Sequence, residues 1–326
     1  MGSQPEISPQ HSKSREAFAA LMLVVACLCW AAFFSLTKKW QHAAVSCPGG
    51  PLIASLTLIG IRPVLALVVF AVVRPQLFRQ PTRREWLIAG FLGLWNFAGN
   101  VLQVWGLSST SPALSGFFTS MASLWVPLMA LLFLRMPIAG ATWLGWMLGV
   151  AGLVVLGIDT SQGIRMGQGE LLTVMSSLIF AVVILLLDRL GRRVNSSHLT
   201  LGLIMVAGLP ALPVAVGLSA HGEGVMAWLV WLRDMLSNPA VLRDVVLLTL
   251  FSTVIASFLL STFQPRLPAS RAALIYLLEP VFTAIISVLV GHDDVTQRLV
   301  LGGLLILGGN ALAALPAWVR QKEREN

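Results

Sequence analysis

Ten apolar stretches of about 20 residues recur along the chain, separated by short polar connections. At a rise of about 1.5 Å per residue, a helix of that length crosses the roughly 30 Å hydrocarbon layer of a bilayer. The pattern predicts membrane-spanning helices at 17–37, 52–73, 86–106, 113–133, 139–158, 169–188, 198–218, 241–262, 271–290 and 297–317. Residues 219–240 form the longest connection, and their AWLVWL run at 227–232 is too short to cross, which predicts an amphipathic or loop segment at the membrane interface. Pro112, Pro137 and Pro268 stand near span ends, where a missing N–H costs nothing, whereas Pro127 and Pro280 fall inside spans and predict kinks.

Composition agrees with the pattern. With 56% hydrophobic and 11% charged residues, the chain has too few polar side chains to cover a water-soluble globule of 326 residues. Its mean hydropathy is +0.82. The basic residues are placed unevenly: 15 of them (Lys13, Arg15, Arg74, Arg79, Arg83, Arg84, Arg135, Arg189, Arg192, Arg193, Arg266, Arg271, Arg320, Lys322 and Arg324) fall on one predicted side. Six fall on the other, namely Lys38, Lys39, Arg165, Arg233, Arg243 and Arg298, and Arg62 stays within a span. The positive-inside rule then makes both termini cytoplasmic. The net charge of +8 reads as this orientation signal together with anionic headgroups, not as a nucleic-acid surface.

The polar tail MGSQPEISPQHSKSRE lacks the short apolar core and cleavage site of a removable leader and is expected to be disordered. Cys27 and Cys29 lie inside the first span and Cys47 in an external connection, with no ligand-spaced His/Cys cluster beside them, so neither a disulfide nor a bound metal is expected.

The two halves repeat. A shift of 157 lays Leu144, Gly145, Leu148 and Gly152 over Leu301, Gly302, Leu305 and Gly309, and a shift of 156 lays Pro112-Ala113 over Pro268-Ala269. Similar offsets suggest a five-helix unit used twice. Five crossings is an odd number, so the second unit is inverted relative to the first, the arrangement that gives two related half-sites and two alternative openings.

Several stretches carry a family resemblance: CWAAFFSLTK at 29–38, IRPVLAL at 61–67, GLWNFAGNVLQVWGL at 93–107, SGFFTSMASLWVPLMALLFLRMP at 115–137, WLGWMLGVAGLVVL at 143–156 and STFQPRLPASRAALIYLLEPVFTAIISVLVG at 261–291. Together they resemble the drug/metabolite transporter superfamily, specifically the ten-helix EamA-type permeases, over nearly everything after residue 16. The LEPVF stretch is the most specific piece. Arg135 stands where an acidic residue is frequent in the family, and His292-Asp293-Asp294 stand where Gly-Glu is frequent. The resemblance implies an all-α polytopic membrane protein with ten transmembrane helices in two inverted five-helix repeats, set in a bacterial inner membrane. Its expected parts are a cytoplasmic tail at 1–16, a first repeat at 17–158, an external linker at 159–168, a second repeat at 169–318 and a tail at 319–326. It also implies a central substrate cavity and, frequently, export.

Ionisable residues near mid-membrane are costly and point to function. Arg62 and Glu279 are the clearest: they could pair with each other, or Glu279 could face the cavity, meet an amine and titrate, which leaves proton coupling open. Asn96, Asn100 and Gln103 share one face of the third span, to line a cavity or to bond neighbouring helices. Trp30 and Phe34, one turn apart, and Trp125, Phe180 and Tyr276 offer ring surfaces for a substrate or fill the membrane core. The repeat sets Ser123 opposite Glu279, and Ser257 adds a hydroxyl that could simply bond its own helix. Glycines of the fifth and tenth spans predict close packing, at the repeat junction or a dimer contact.

The leading functional expectation is a secondary transporter for a small metabolite, amino acid or amphipathic drug, acting by alternating access. It would work without a cofactor or nucleic-acid partner, in contact with membrane lipids, as a monomer or weak homodimer. No GxxxxGK[ST] loop supplies ATP chemistry, and no HExxH or GxSxG motif supplies hydrolysis. The alternatives are a membrane-embedded enzyme acting on a lipid-like substrate and a passive channel.

Overall fold

The computed structural model describes residues 9–78, 81–134, 140–159, 163–164, 166–190, 194–222, 224–267 and 275–325. The chain runs as helices α1 (Pro9–Ala43), α2 (Gly50–Val73), α3 (Arg83–Leu107), α4 (Pro112–Ser120), α5 (Ala122–Leu134), α6 (Gly140–Gly157) and α7 (Gln168–Leu190). It continues through α8 (Ser196–Gly208), α9 (Ala211–His221), α10 (Val225–Ser237), α11 (Pro239–Leu248), a π-helical turn at Thr249–Ile255, α12 (Ala256–Phe263), α13 (Leu278–Val290) and α14 (Gln297–Glu325). Among the described residues, the strand structure is a two-stranded antiparallel piece, β1 (Ile158–Asp159) with β2 (Gly163–Ile164), which begins at the last residue of the expected first repeat and runs into the expected linker.

Among the described residues, six helical stretches are long and apolar enough to cross a membrane: Glu16–Ala43, Gly50–Val73, Arg83–Leu107, Gln168–Leu186, His198–His221 and Pro239–Leu260. Gly140–Leu156, Leu278–Val290 and Gln297–Ala313 are apolar but shorter. Two of the ten expected spans differ locally from the expectation. The stretch expected at 113–133 is divided at Met121, and in the one expected at 271–290 Ile275 and Tyr276 are helical, Leu277 interrupts and α13 follows from Leu278, with 271–274 outside the described residues. Pro280 occupies the first turn of α13, where its absent N–H is tolerated, and Pro127 lies in α5 shortly after the division. Pro137 and Pro268, expected at span ends, and Arg135 lie outside the described residues. The polar stretch from Pro9 to Glu16, expected as disordered tail, is the helical start of α1, and the last described residues continue α14 to Glu325.

Local sequence explains where helices begin. Thr82 caps α3 by accepting from the Glu85 N–H at 3.3 Å, while the Glu85 carboxylate accepts from the Thr82 N–H at 2.8 Å. Ser111 accepts from Leu114 N–H ahead of Pro112, and Asn238 from Ala240 N–H ahead of Pro239, each cap followed by a proline that needs no partner. Glu85 also accepts from the Asn195 N–H at 3.0 Å and lies 3.1 Å from His198 Nδ1, tying the start of α3 to that of α8.

The helices pack in recurring pairs. α3 lies on α7 and α8, and the α11–π–α12 rod lies on α1 and α2; α4 and α5 meet α7, and α13 meets α1; α2 pairs with α9, α4 with α13, and α6 with α14. The α6–α14 contact is backbone to backbone. A Cβ on Gly145 would stand 2.5 Å from the Gly309 carbonyl oxygen, and one on Gly152 would stand 2.7 Å from that of Gly302. The glycine face is therefore used up between two helices of one chain.

The largest buried cluster gathers at one end of α1, α2, α9 and α11, with α10 laid over it. α10 is 13 residues long, about 20 Å, too short to cross. It buries Trp228, Trp231 and Met235 and leaves Met226, Leu229 and Val230 exposed. Trp228 Nε1 donates to Thr57 Oγ1 at 3.0 Å, and the Trp231 ring meets Trp40 edge-on at 5.9 Å. Elsewhere large apolar side chains face outward, Leu132 at 74% and Leu289 at 80% exposure, as lipid-facing positions do and water-facing ones do not.

Candidate functional site

Glu279 is the second residue of α13, which packs against α1 and α4. Glu279 is half-buried, and its carboxylate has no hydrogen-bond or ion-pair partner among the described residues. The residues around it come from α1 and from the chain just before α13. The Cys27 thiol donates to the Ile275 carbonyl at 3.6 Å, and the Trp30 and Tyr276 rings lie 6.0 Å apart, tilted by 55°. The Tyr276 hydroxyl is enclosed and has no partner among the described residues. A phenolic O–H can both donate and accept, and a carboxylate only accepts, so the two leave open hydrogen-bonding capacity beside two aromatic faces. The site can hold a group that donates to a carboxylate and lies against a ring.

Arg62 does not complete this site. Its guanidinium donates to Thr253 Oγ1 at 2.9 and 3.2 Å and to Ser252 Oγ at 3.1 Å, and it stands 4.9 Å over the Phe33 ring. The alternative pairing of Arg62 with Glu279 is thus corrected: α2 packs on the π-helical turn, whereas α13 packs on α1 and α4. The acceptors come from an irregular turn. Thr249 and Ser252 donate back to the Val245 and Leu248 carbonyls at 2.9 and 2.6 Å, where hydroxyls compete with the backbone ladder, and the hydroxyl oxygens of Ser252 and Thr253 remain available to Arg62.

The amide stripe divides. Gln103, 7% exposed, donates to Thr119 Oγ1 of α4 at 3.1 Å and ties two helices. Asn100 donates to the Asn96 carbonyl at 2.7 Å within α3, and the Asn96 amide is half-buried with no partner among the described residues. The rings divide as well. Phe34 is 1% exposed and packs edge-on against Phe33 in the core with Leu58 and Leu248, so it belongs to the core and not to an accessible wall. Trp125 Nε1 donates to Ser177 Oγ of α7 at 2.9 Å, and its ring meets Trp146. Phe180 fills the space beside Gly99 of α3. Ser257 is half-buried in α12, and Ser123 is exposed. The helix interruptions at Met121 and Leu277 put Ser123 and Glu279 at the same offset, each two residues past its interruption.

Thr119, Ser177, Ser252 and Thr253 were invisible as partners in the sequence, because a hydroxyl in a span looks alike whether it meets a guanidinium, an indole or its own backbone. A second polar assembly was also missed. Lys38 donates to the carbonyls of Leu107, Ser108 and Thr110 at 2.8, 3.3 and 2.7 Å, closing the end of α3, and Thr110 donates to Glu170 at 2.8 Å. Asp293 accepts from the Ala113 N–H at the start of α4 and from the Ser287 hydroxyl. The His292-Asp293-Asp294 cluster was the signal that could have found it.

A bundle of long apolar helices that holds a half-buried carboxylate is consistent with a membrane transporter. The chain belongs to the EamA-like transporter family, whose profile matches residues 17–158 and 167–315. It is also similar in fold to a solved structure described only as the crystal structure of a protein, at 21% identity and a TM-score of 0.57, covering 92% of this chain and 98% of the other. No curated protein matches the chain significantly.

Proposed function

We propose that the chain is a secondary transporter that exports a small metabolite, amino acid or amphipathic drug across a bacterial inner membrane by alternating access, with both termini cytoplasmic. The observation that carries this reading is the half-buried Glu279, whose carboxylate has no partner among the described residues, three positions after Tyr276, whose ring meets that of Trp30. An uncompensated carboxylate within an apolar bundle costs several kcal/mol, of order 2.5–3.5 even on the milder scales, and a site that binds an amine or a proton during turnover has reason to keep it.

The architecture belonging to this reading is ten transmembrane helices in two inverted five-helix units, 17–158 and 169–318. Three observations favour it. The family profile matches twice in tandem. The helix contacts come in symmetric sets: α3 on α7 and α8 corresponds to the α11–π–α12 rod on α1 and α2, and α2–α9, α4–α13 and α6–α14 are each their own counterpart. The glycines obey the same relation. Gly145 corresponds to Gly302 and Gly152 to Gly309 in the repeat, and the contacts run crosswise, Gly145 on Gly309 and Gly152 on Gly302, as they do across a two-fold axis.

In this mechanism Glu279 receives the donor group of a substrate, the Trp30 and Tyr276 rings cover its apolar part, and the interruptions at Met121 and Leu277 let α4 and α13 rearrange. The test is counterflow in proteoliposomes preloaded with candidate amines, amino acids or amphipathic drugs. A carrier accumulates labelled substrate against unlabelled substrate inside; an open pore only equilibrates, and that outcome would defeat the proposal.

A further inference from the structure

A cavity of about 520 Å³ opens at the end of the bundle that carries the α1–α2, α3–α4 and α13–α14 connections, and Glu279 is not part of its lining. It is lined by Lys38 and His42 of α1, the Ser108–Ser111 turn, Glu170 of α7, and Gly291 and His292 after α13. Its size is that of a small-molecule site.

Donors remain open in this cavity. Glu170 accepts from Thr110 through one oxygen and keeps further acceptor capacity, and Asp293 accepts from Ala113 and Ser287. Lys38 has spent its three donors on backbone carbonyls. What remains is imidazole and ammonium: His42 is exposed at the rim with its ring 5.6 Å from that of His292, Lys39 is exposed beside them, and the His292 Nε2 is enclosed with no partner among the described residues. Hydroxyl-bearing Ser109 and Ser111 complete the wall.

We infer that this cavity binds the oxyanion of a small solute, a carboxylate or phosphate, through His292 and His42, and binds it more tightly as the pH falls. The groups facing His292 account for the sign. Burial, then His42, Lys39 and Lys38 of α1, hold it below the ordinary imidazole value, while Asp293 opposes them. Glu170 of α7 lies across the cavity and Asp294 follows in the same connection. An anion in the cavity offsets the neighbouring positive charges and favours the imidazolium, so binding takes up a proton.

The test uses the full chain in phosphatidylcholine nanodiscs, with imidazole NMR signals followed against pH and the His292 signal identified by its loss in His292→Gln. Acetate or inorganic phosphate should raise the His292 titration midpoint; a rise of one unit equals about tenfold tighter binding to the protonated form. Acetate affinity should become independent of pH in His292→Gln, while Lys39→Ala should weaken it and keep the pH dependence. The same rise produced by phosphatidylglycerol nanodiscs without added anion would keep the oxyanion site and assign its occupant to a lipid headgroup. No movement of the midpoint with acetate, phosphate or phosphatidylglycerol would overturn the inference, as would an equal movement with tetramethylammonium. Glu279 takes no part in these readouts, so the result is independent of whether the chain proves to be a carrier.

Discussion

Gly308 and Gly309 are neighbours on α14, and alanine at each should move stability in opposite directions. Replacing a helical glycine with alanine gains about 1 kcal/mol from the backbone at either position. The packing differs. Nothing lies within 4 Å of a Cβ on Gly308, whereas one on Gly309 would stand 2.5 Å from the Gly145 carbonyl oxygen, 2.8 Å from the Gly149 nitrogen and 3.2 Å from the Gly149 Cα. All three are backbone atoms that cannot rotate aside, so α6 and α14 must separate, at a cost of about 1–3 kcal/mol. The backbone gain cancels when the two variants are compared, and the difference between them isolates the packing. In a chain of this size each kcal/mol shifts a thermal midpoint by roughly 2 °C, so Gly309→Ala should melt about 2–6 °C below Gly308→Ala in detergent. Equal midpoints, or a higher one for Gly309→Ala, would refute the close backbone approach and the two-fold relation drawn from it.

Arg62→Met should destabilise the protein by about 1–3 kcal/mol, and Thr253→Val should cost much less when added to it than when made alone; additive costs in a thermal double-mutant cycle would mean that the guanidinium does not clamp the π-helical turn. Cys27, Cys29 and Cys47 are buried, so Val45→Cys, at a position 82% exposed in the α1–α2 connection, offers a clean label: a membrane-impermeant maleimide should reach it from outside intact cells, and labelling only from the cytoplasmic side would invert the proposed orientation. Because His292 is held below its ordinary value, the unfolded chain binds more protons there than the folded one, and stability should fall on acidification from pH 8 to 5. His292→Gln should lessen that fall in anion-free buffer, and an unchanged pH profile would remove His292 from the account.

The hydrophobic period gave away most of the helices, because a membrane enforces length and apolarity on any segment that crosses it. It did not reveal that the stretch over 113–133 is interrupted at Met121, nor that Thr249–Ile255 is π-helical, since both depend on tertiary packing and on hydroxyls bonding their own turn. The glycine spacing of Gly145, Gly149 and Gly152 was legible as close packing, and its partner proved to be α14, through Gly302 and Gly309. Site residues were legible by type only. Asparagine and glutamine were singled out as costly in an apolar medium, but Gln103 is consumed by Thr119 and Asn100 by its own helix. Among the described residues Tyr276 keeps an unpartnered hydroxyl and Glu279 an unpartnered carboxylate, and which polar groups would do so depends on contacts between distant helices such as α1 and α13.

The most direct test of the central claim compares wild type with Glu279→Gln in counterflow, over a range of pH, on protein shown to be folded by its thermal midpoint. The account predicts that the wild type exchanges substrate with a rate that depends on pH, and that the glutamine variant folds but loses most exchange or loses its pH dependence. Full exchange by Glu279→Gln, with the wild-type pH profile, would contradict a carboxylate-centred transport site.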